Sequence, residues 1–256
     1  MRRRISLWAA TSIVVLVMLA AFNFGCLQRR VVPLVAKSQP LGLYRLNEQT
    51  TNTVVLTIDD GPSSRTGELL DLLAEYNATA TFFVHTDHID QCEAGEAMIA
   101  RMLTEGHEIG NHMPSDRPSI ELTAEEFDAE FAKADSRLRE LGAAPTVFRP
   151  ASGAFSDETM GPTLDRHGYE HRYVLGSYLP WDVYFPAPKR YAKQLVNGAM
   201  PGAIFVLHDG DHHEGRVERT IETLRLLLAG LKETGYAARS LADARNEAGT
   251  MESDRE

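Results

Sequence analysis

Cysteine is nearly missing from this chain, and that removes a group of functions at once. Only two occur among 256 residues, Cys26 in an apolar run and Cys92 far from it. A disulfide framework, a Cys-x-x-Cys zinc site and a thiol redox motif are therefore excluded. Basic charge is also short: 26 basic residues face 36 acidic ones, a net charge of −10. No basic face is available in bulk to neutralise the phosphates of a nucleic acid. The first 30 residues hold five Arg and no acid, so the remainder carries 21 basic and 36 acidic side chains, a net of −15. Internal repeats and low-complexity tracts are lacking too. With 43% apolar residues, the folded part must find its stability in hydrophobic burial, and about 200 residues are enough to provide it as one domain.

Arg2, Arg3 and Arg4 precede an uncharged stretch over residues 5–27. As a helix it would reach roughly 34 Å, enough to cross a hydrocarbon core. Residues 1–27 are thus expected to be a signal-anchor transmembrane segment, with the arginines on the cytoplasmic side and the folded domain outside the cytoplasm. Cleavage of the segment, which would release a secreted protein, is the alternative. Residues 28–52 have no strong period and read as a tether, residues 53–245 as the folded domain, and residues 246–256 as a polar tail.

Within the domain, short β-branched or aromatic runs alternate with helical patterns. Strands are expected at 54–59, 81–84, 108–111, 147–150, 172–176 and 203–208, with a weaker one at 237–241. Helices are expected at 67–76, 95–105, 124–141, 157–167, 188–200 and 216–234. Thr123-x-x-Glu126 is a capping box ahead of Phe127, Phe131, Leu138 and Leu141, and Val217, Ile221, Leu224, Leu228 and Leu231 recur at helical spacing. The alternation predicts the α/β class, a distorted (β/α) barrel of about seven units with a parallel sheet inside.

In such a barrel the chemistry lies where strands end. The expected ends carry Asp59-Asp60-Gly61-Pro62, Asn111-His112, Arg149-Pro150 and Leu207-His208-Asp209. Any one of these could be a turn or a cap, but recurrence at several ends points to a site. Adjacent buried carboxylates are costly unless a cation or an arginine compensates them. Successive strand residues face opposite ways, so Asp59 and Asp60 can divide base and metal-binding roles. His112 and Asp116, four apart, share a face if the segment turns helically, as two ligands of one metal require. His107 and the pair His212 and His213 fit surface or structural roles equally well.

Thr57-Ile58-Asp59-Asp60-Gly61-Pro62, Ala80-Thr81-Phe82-Phe83-Val84, Gly106-His107-Glu108-Ile109-Gly110-Asn111-His112, Arg149-Pro150-Ala151-Ser152-Gly153 and Leu207-His208 follow one another in an order that resembles the polysaccharide deacetylases of the NodB-homology type, carbohydrate esterase family four. The resemblance covers about residues 53 to 242. It implies that Asp60 and His112 bind a divalent metal, usually Zn2+ with Co2+ or Mn2+ as alternatives, and that Asp59 is the base toward water at the metal. It makes Arg149 the partner that orients Asp59, His208 the acid for the leaving amine, Ser152 an oxyanion donor through its backbone N–H, and Leu207 the lining of the acetyl pocket. Asp182, in Leu179-Pro180-Trp181-Asp182, resembles a carboxylate that tunes the acid histidine. The chain departs from the family at Asp116, which stands where a second metal histidine is usual, giving a harder Asp60, His112, Asp116 set. The implied function is removal of N-acetyl groups from N-acetylglucosamine units of a chitin- or peptidoglycan-like polysaccharide. The expected partners are an acetylated poly- or oligosaccharide and, through the N-terminal helix, a membrane, with no nucleic acid and a monomeric state. An O-acetyl esterase on the same fold and a metal-free carbohydrate-binding pseudoenzyme are the other readings.

Overall fold

β1 (Thr53–Asp59) is buried along its whole length, as a parallel strand covered on both faces must be. Val54, Leu56 and Ile58 join the apolar layer under the helices, while Val55 belongs to a second apolar group on the opposite face. Thr57 and Asp59, in phase with Val55, therefore face inward. This arrangement is seen in a computed structural model that describes residues 32–46, 51–170, 173–178, 187–211 and 215–253. The expected membrane segment, Asp182, His212 and His213 lie outside the described residues. Among the described residues no helix is long and apolar enough to cross a membrane.

The sheet is parallel, in the order β3 (Glu108–Asn111), β2 (Thr81–Val84), β1, β4 (Ile204–His208), with β5 (Ala237–Arg239) also on β1. β1 is shared along one edge: Thr57 to Asp59 pair with β2, and Thr53 to Val55 pair with β5. On its other edge the register sets His208 opposite Asp59. In place of the expected strands at 147–150 and 172–176, the described residues there make isolated bridges, at Phe148 and Val174 among them. Pro150 ends the first of these and cannot donate a further ladder bond. Even so, hydrogen bonding continues from β3 through Asn111 to Phe148 and on to Val174, Leu43 and finally, by Arg45, Ala203 beside β4.

The segment expected as a tether thus takes part in the domain, with Leu43 and Leu46 packed against Val55, Phe83, Val147, Val174 and Ile204. The described part of the tail is also structured. Helical conformation runs over Leu241–Ser253, and Glu247 accepts hydrogen bonds from Thr53 Oγ1 and Arg239 Nε at 2.8 and 3.1 Å.

The helices pack outside the strands as their periods dictate. α1 (Thr66–Glu75), α2 (Thr86–Gln91), α3 (Gly95–Thr104), α4 (Ala124–Glu140), α5 (Asp157–Arg166), α6 (Pro188–Gly198) and α7 (Arg216–Glu233) follow in order. The capping box at Thr123 and Glu126 forms, which contributes about 1 kcal/mol to the start of α4. Phe127 and Phe131 of that helix bury against Phe148, Tyr169 and Tyr173 in a separate core. α2, which the sequence reading leaves in a loop, places the residues after β2 beside the strand ends.

Candidate active site

The turn that follows β1 is held from three sides. Asp60 has left-handed backbone, φ 70, and its N–H donates to Phe83 O at 3.1 Å. His88 Nδ1, from α2, donates to the Asp60 carbonyl at 2.6 Å. Behind the turn stands Asp209, whose N–H donates to Asp59 O at 2.7 Å. A Cβ on Gly61 would meet Asp209 Oδ2 at 2.8 Å, so only glycine allows this approach. Two adjacent carboxylates are thereby forced into the interior, Asp59 and Asp60 being almost fully buried.

Each carboxylate has its own arginine. Arg149, buried and stacked 4.2 Å over the Phe83 ring, donates from Nη1 to Asp59 Oδ1 and to Thr57 Oγ1, and from Nε to Val174 O. The guanidinium cannot swing without losing those bonds, so it holds Asp59 in this orientation. The other oxygen, Oδ2, lies 3.9 Å from His208 Nε2. Asp60 Oδ2 is bonded by Arg216 Nη1 at 2.9 Å. Nothing local in the sequence marks this second arginine, which opens α7 eight residues past His208.

Asp60 Oδ1 faces two imidazoles, His112 Nε2 at 3.6 Å and His85 Nε2 at 3.5 Å. The rings of His85 and His112 stack with centroids 4.4 Å apart. Each is turned the same way by a backbone carbonyl: His112 Nδ1 donates to Arg149 O at 2.7 Å, and His85 Nδ1 faces Met113 O at 3.4 Å. Fixing Nδ1 as the donor leaves Nε2 with a lone pair, the tautomer a metal ligand needs. Burial pulls the His85 imidazole down, with His112 adding to it. The His112 imidazole is raised because the Asp60 and Asp59 carboxylates outweigh its desolvation. Desolvation also works against ionised Asp60, but the two histidines hold its carboxyl well below the usual range.

Asp60, His85 and His112 are the group of metal-ligating side chains that comes together among the described residues. His85 Nε2 is buried with no hydrogen-bond partner among them, a costly state unless another group satisfies it. Donor separations of 3.5 and 3.6 Å are close to the edge of about 3.3 Å that a tetrahedral site with zinc-like bonds would have. One carboxylate and two imidazoles suit zinc or a similar divalent ion. A divalent cation therefore fits this set.

Asp116 does not join it. Its side chain is exposed, in a stretch that contains no helix. Met113 has φ 72, with prolines at 114 and 118, so the four-residue spacing never becomes a shared face. Arg117 turns away to Glu126 and Glu130. The third side chain of the group comes instead from the end of β2, where His85 follows Val84. Scanning strand ends for polar residues would have found it had the second strand been included. Leu207 also needs correction: on β4 it points to the helix side and packs in the main core, and Val206 is the residue in phase with His208. Ser152 is exposed and has left-handed backbone, φ 68, two residues after buried Pro150.

Known proteins resemble this chain in sequence and in fold. The family model described as polysaccharide deacetylase matches residues 47–174. The peptidoglycan-N-acetylglucosamine deacetylase of Bacillus cereus is 30% identical over 186 residues, which is 72% of this chain and 83% of that one. A solved structure described as T48 deacetylase with substrate is 29% identical, with a TM-score of 0.66, covering 78% of this chain and 93% of its own. A family 4 acetyl xylan esterase from Clostridium thermocellum, solved with a cobalt ion, is 29% identical with a TM-score of 0.63, covering 75% and 89%. With half of its length matched by the family model and close relatives aligned over most of theirs, this chain belongs to the polysaccharide deacetylase family.

Proposed function

We propose that the chain is a metal-dependent hydrolase that removes N-acetyl groups from N-acetylglucosamine units of a polysaccharide of the chitin or peptidoglycan kind. The observation that carries this reading is Asp59, held on one oxygen by Arg149 and 3.9 Å from His208 on the other, beside the Asp60, His85 and His112 donors. The chemistry a divalent cation supplies when held by those donors is Lewis acidity, which polarises an acyl carbonyl and acidifies water. Asp59 Oδ2 accepts the proton of the attacking water, while Arg149 holds that carboxylate in place through its other oxygen. His208, partly exposed at the end of β4, gives a proton to the departing sugar nitrogen, which leaves poorly as an anion. The exposed turn at Ser152 offers a backbone donor to the developing oxyanion.

Zinc is the expected ion, with cobalt or manganese as substitutes. The likeness to an acetyl xylan esterase favours O-acetyl ester hydrolysis as the second reading, since ester cleavage uses the same base and needs less help from His208. Residues 1–27 would anchor a monomer with this domain outside the cytoplasm. Acetate release from N-acetylglucosamine oligomers and from acetylated xylan tests the proposal. Release from the oligomers should stop with a chelator and return with zinc. Chelator-resistant release, or activity on the xylan alone, would overturn it.

A further inference from the structure

Arg216 is placed where a cation is least welcome. It is the first residue of α7, an 18-residue helix, after Gly215 in left-handed conformation with φ 67. The positive end of a helix disfavours a basic side chain there by about 0.3–1 kcal/mol. The residue is also buried, with its side chain 4% exposed, and its Nε has no hydrogen-bond partner among the described residues. Helix dipole and desolvation both oppose the guanidinium, and one of its bonds answers them, that from Nη1 to Asp60 Oδ2 at 2.9 Å. Such a local violation is expected where function demands it.

The two arginines act on their carboxylates in parallel. Arg149 takes one oxygen of Asp59 and leaves the other toward His208; Arg216 takes Oδ2 of Asp60 and leaves Oδ1 between the two imidazoles. Without Arg216, Asp60 could rotate and present both oxygens to a cation, changing the number and direction of its bonds. We infer that Arg216 is a positioning residue that fixes Asp60 as a one-oxygen metal ligand and so sets the coordination number of the site. The inference rests on the metal reading above. It adds that the geometry of the site is enforced by α7, an element that supplies no ligand.

Zinc affinity, measured by competition with a chromophoric chelator on metal-stripped full-length protein, and the visible spectrum of the cobalt-loaded protein test this together. Arg216→Met should lose about 10- to 100-fold in zinc affinity, as loss of a partner behind a ligand generally does. Its cobalt bands should weaken as the coordination number rises. Arg216→Lys should recover part of both, and it stands in if the Met variant fails to fold by circular dichroism. Unchanged affinity and spectrum in a folded variant would overturn the inference, as would tighter zinc binding, which would make Arg216 only a competing charge. A parent protein that binds no zinc would overturn the metal reading itself and this inference with it.

Discussion

The end of β2 and the loop beyond β3 each carry a side chain of a kind that can bind a metal, His85 in one and Asp116 in the other, four residues after His112. Their surroundings differ in every respect that matters to a ligand. His85 is completely buried, its ring stacks on His112, its Nδ1 is turned to a carbonyl and its Nε2 is unsatisfied among the described residues. Asp116 is exposed and belongs to no helix or strand. A ligand must be desolvated and aimed before the ion arrives, since ordering it afterwards costs side-chain entropy. Spacing in sequence provides neither.

Burial alone is not the criterion, and Asp209 shows why. It is as buried as Asp60 and adjoins His208, yet its oxygens are taken by Ser63 Oγ and Thr66 Oγ1, each at 2.5 Å. A ligand needs a buried atom left over after local bonds are made.

The largest effect that sharpens this contrast comes from the base. Asp59→Asn should lower acetate release by about 10²- to 10⁴-fold while zinc affinity stays within a few-fold, because Asp59 lies outside the donor set. A parallel fall in zinc affinity would extend the set to Asp59. Asn111→Ala should act next. Asn111 Oδ1 accepts from Met113 N–H at 2.8 Å and so supports the left-handed turn whose carbonyl faces His85. Loosening it should cost about tenfold in zinc affinity, read by the same chelator competition, and no loss would mean that His85 needs no such support.

Asp209→Asn should leave zinc affinity unchanged and appear in stability instead. Burial pushes the Asp209 carboxyl up to about 6, against the hydrogen bonds from Ser63 and Thr66. The folded chain keeps a proton that the unfolded chain loses near pH 4, so this group's contribution to stability falls as pH rises from about 4 to about 6 and stays low above that. The variant should shrink the stability difference between pH 4.5 and pH 7.5 by roughly 2 kcal/mol in urea unfolding. An unaltered pH profile would show that Asp209 is ionised throughout.

The scaffold was legible because its signals are local. Alternation placed β1, β2 and β3 nearly to the residue, and the apolar periods of α4 and α7 name the faces that bury. Asp59, Asp60, Arg149, His112 and His208 stand out in the sequence because each lies at the end of a strand or bridge. What stayed hidden depends on distant partners. Arg216 meets Asp60 across 156 positions of sequence, and no window contains both. Leu207 was placed on the wrong side by reading the motif as adjacent letters, although the two-residue period of a strand assigns His208 and Val206 to one face. Residues 42–46 carry no period because they make isolated bridges, where hydrogen bonding to partners at 174 and 203 replaces any pattern of their own.

The claim that the metal site is Asp60, His85 and His112 is tested most directly by titrating zinc into metal-stripped parent, His85→Ala and Asp116→Ala. The account predicts a loss on the order of 100-fold or more for His85→Ala, a direct ligand counting for more than its supports, and a curve for Asp116→Ala that overlays the parent. The reverse pattern, Asp116→Ala crippled and His85→Ala intact, would contradict it and restore the ligand set suggested by spacing.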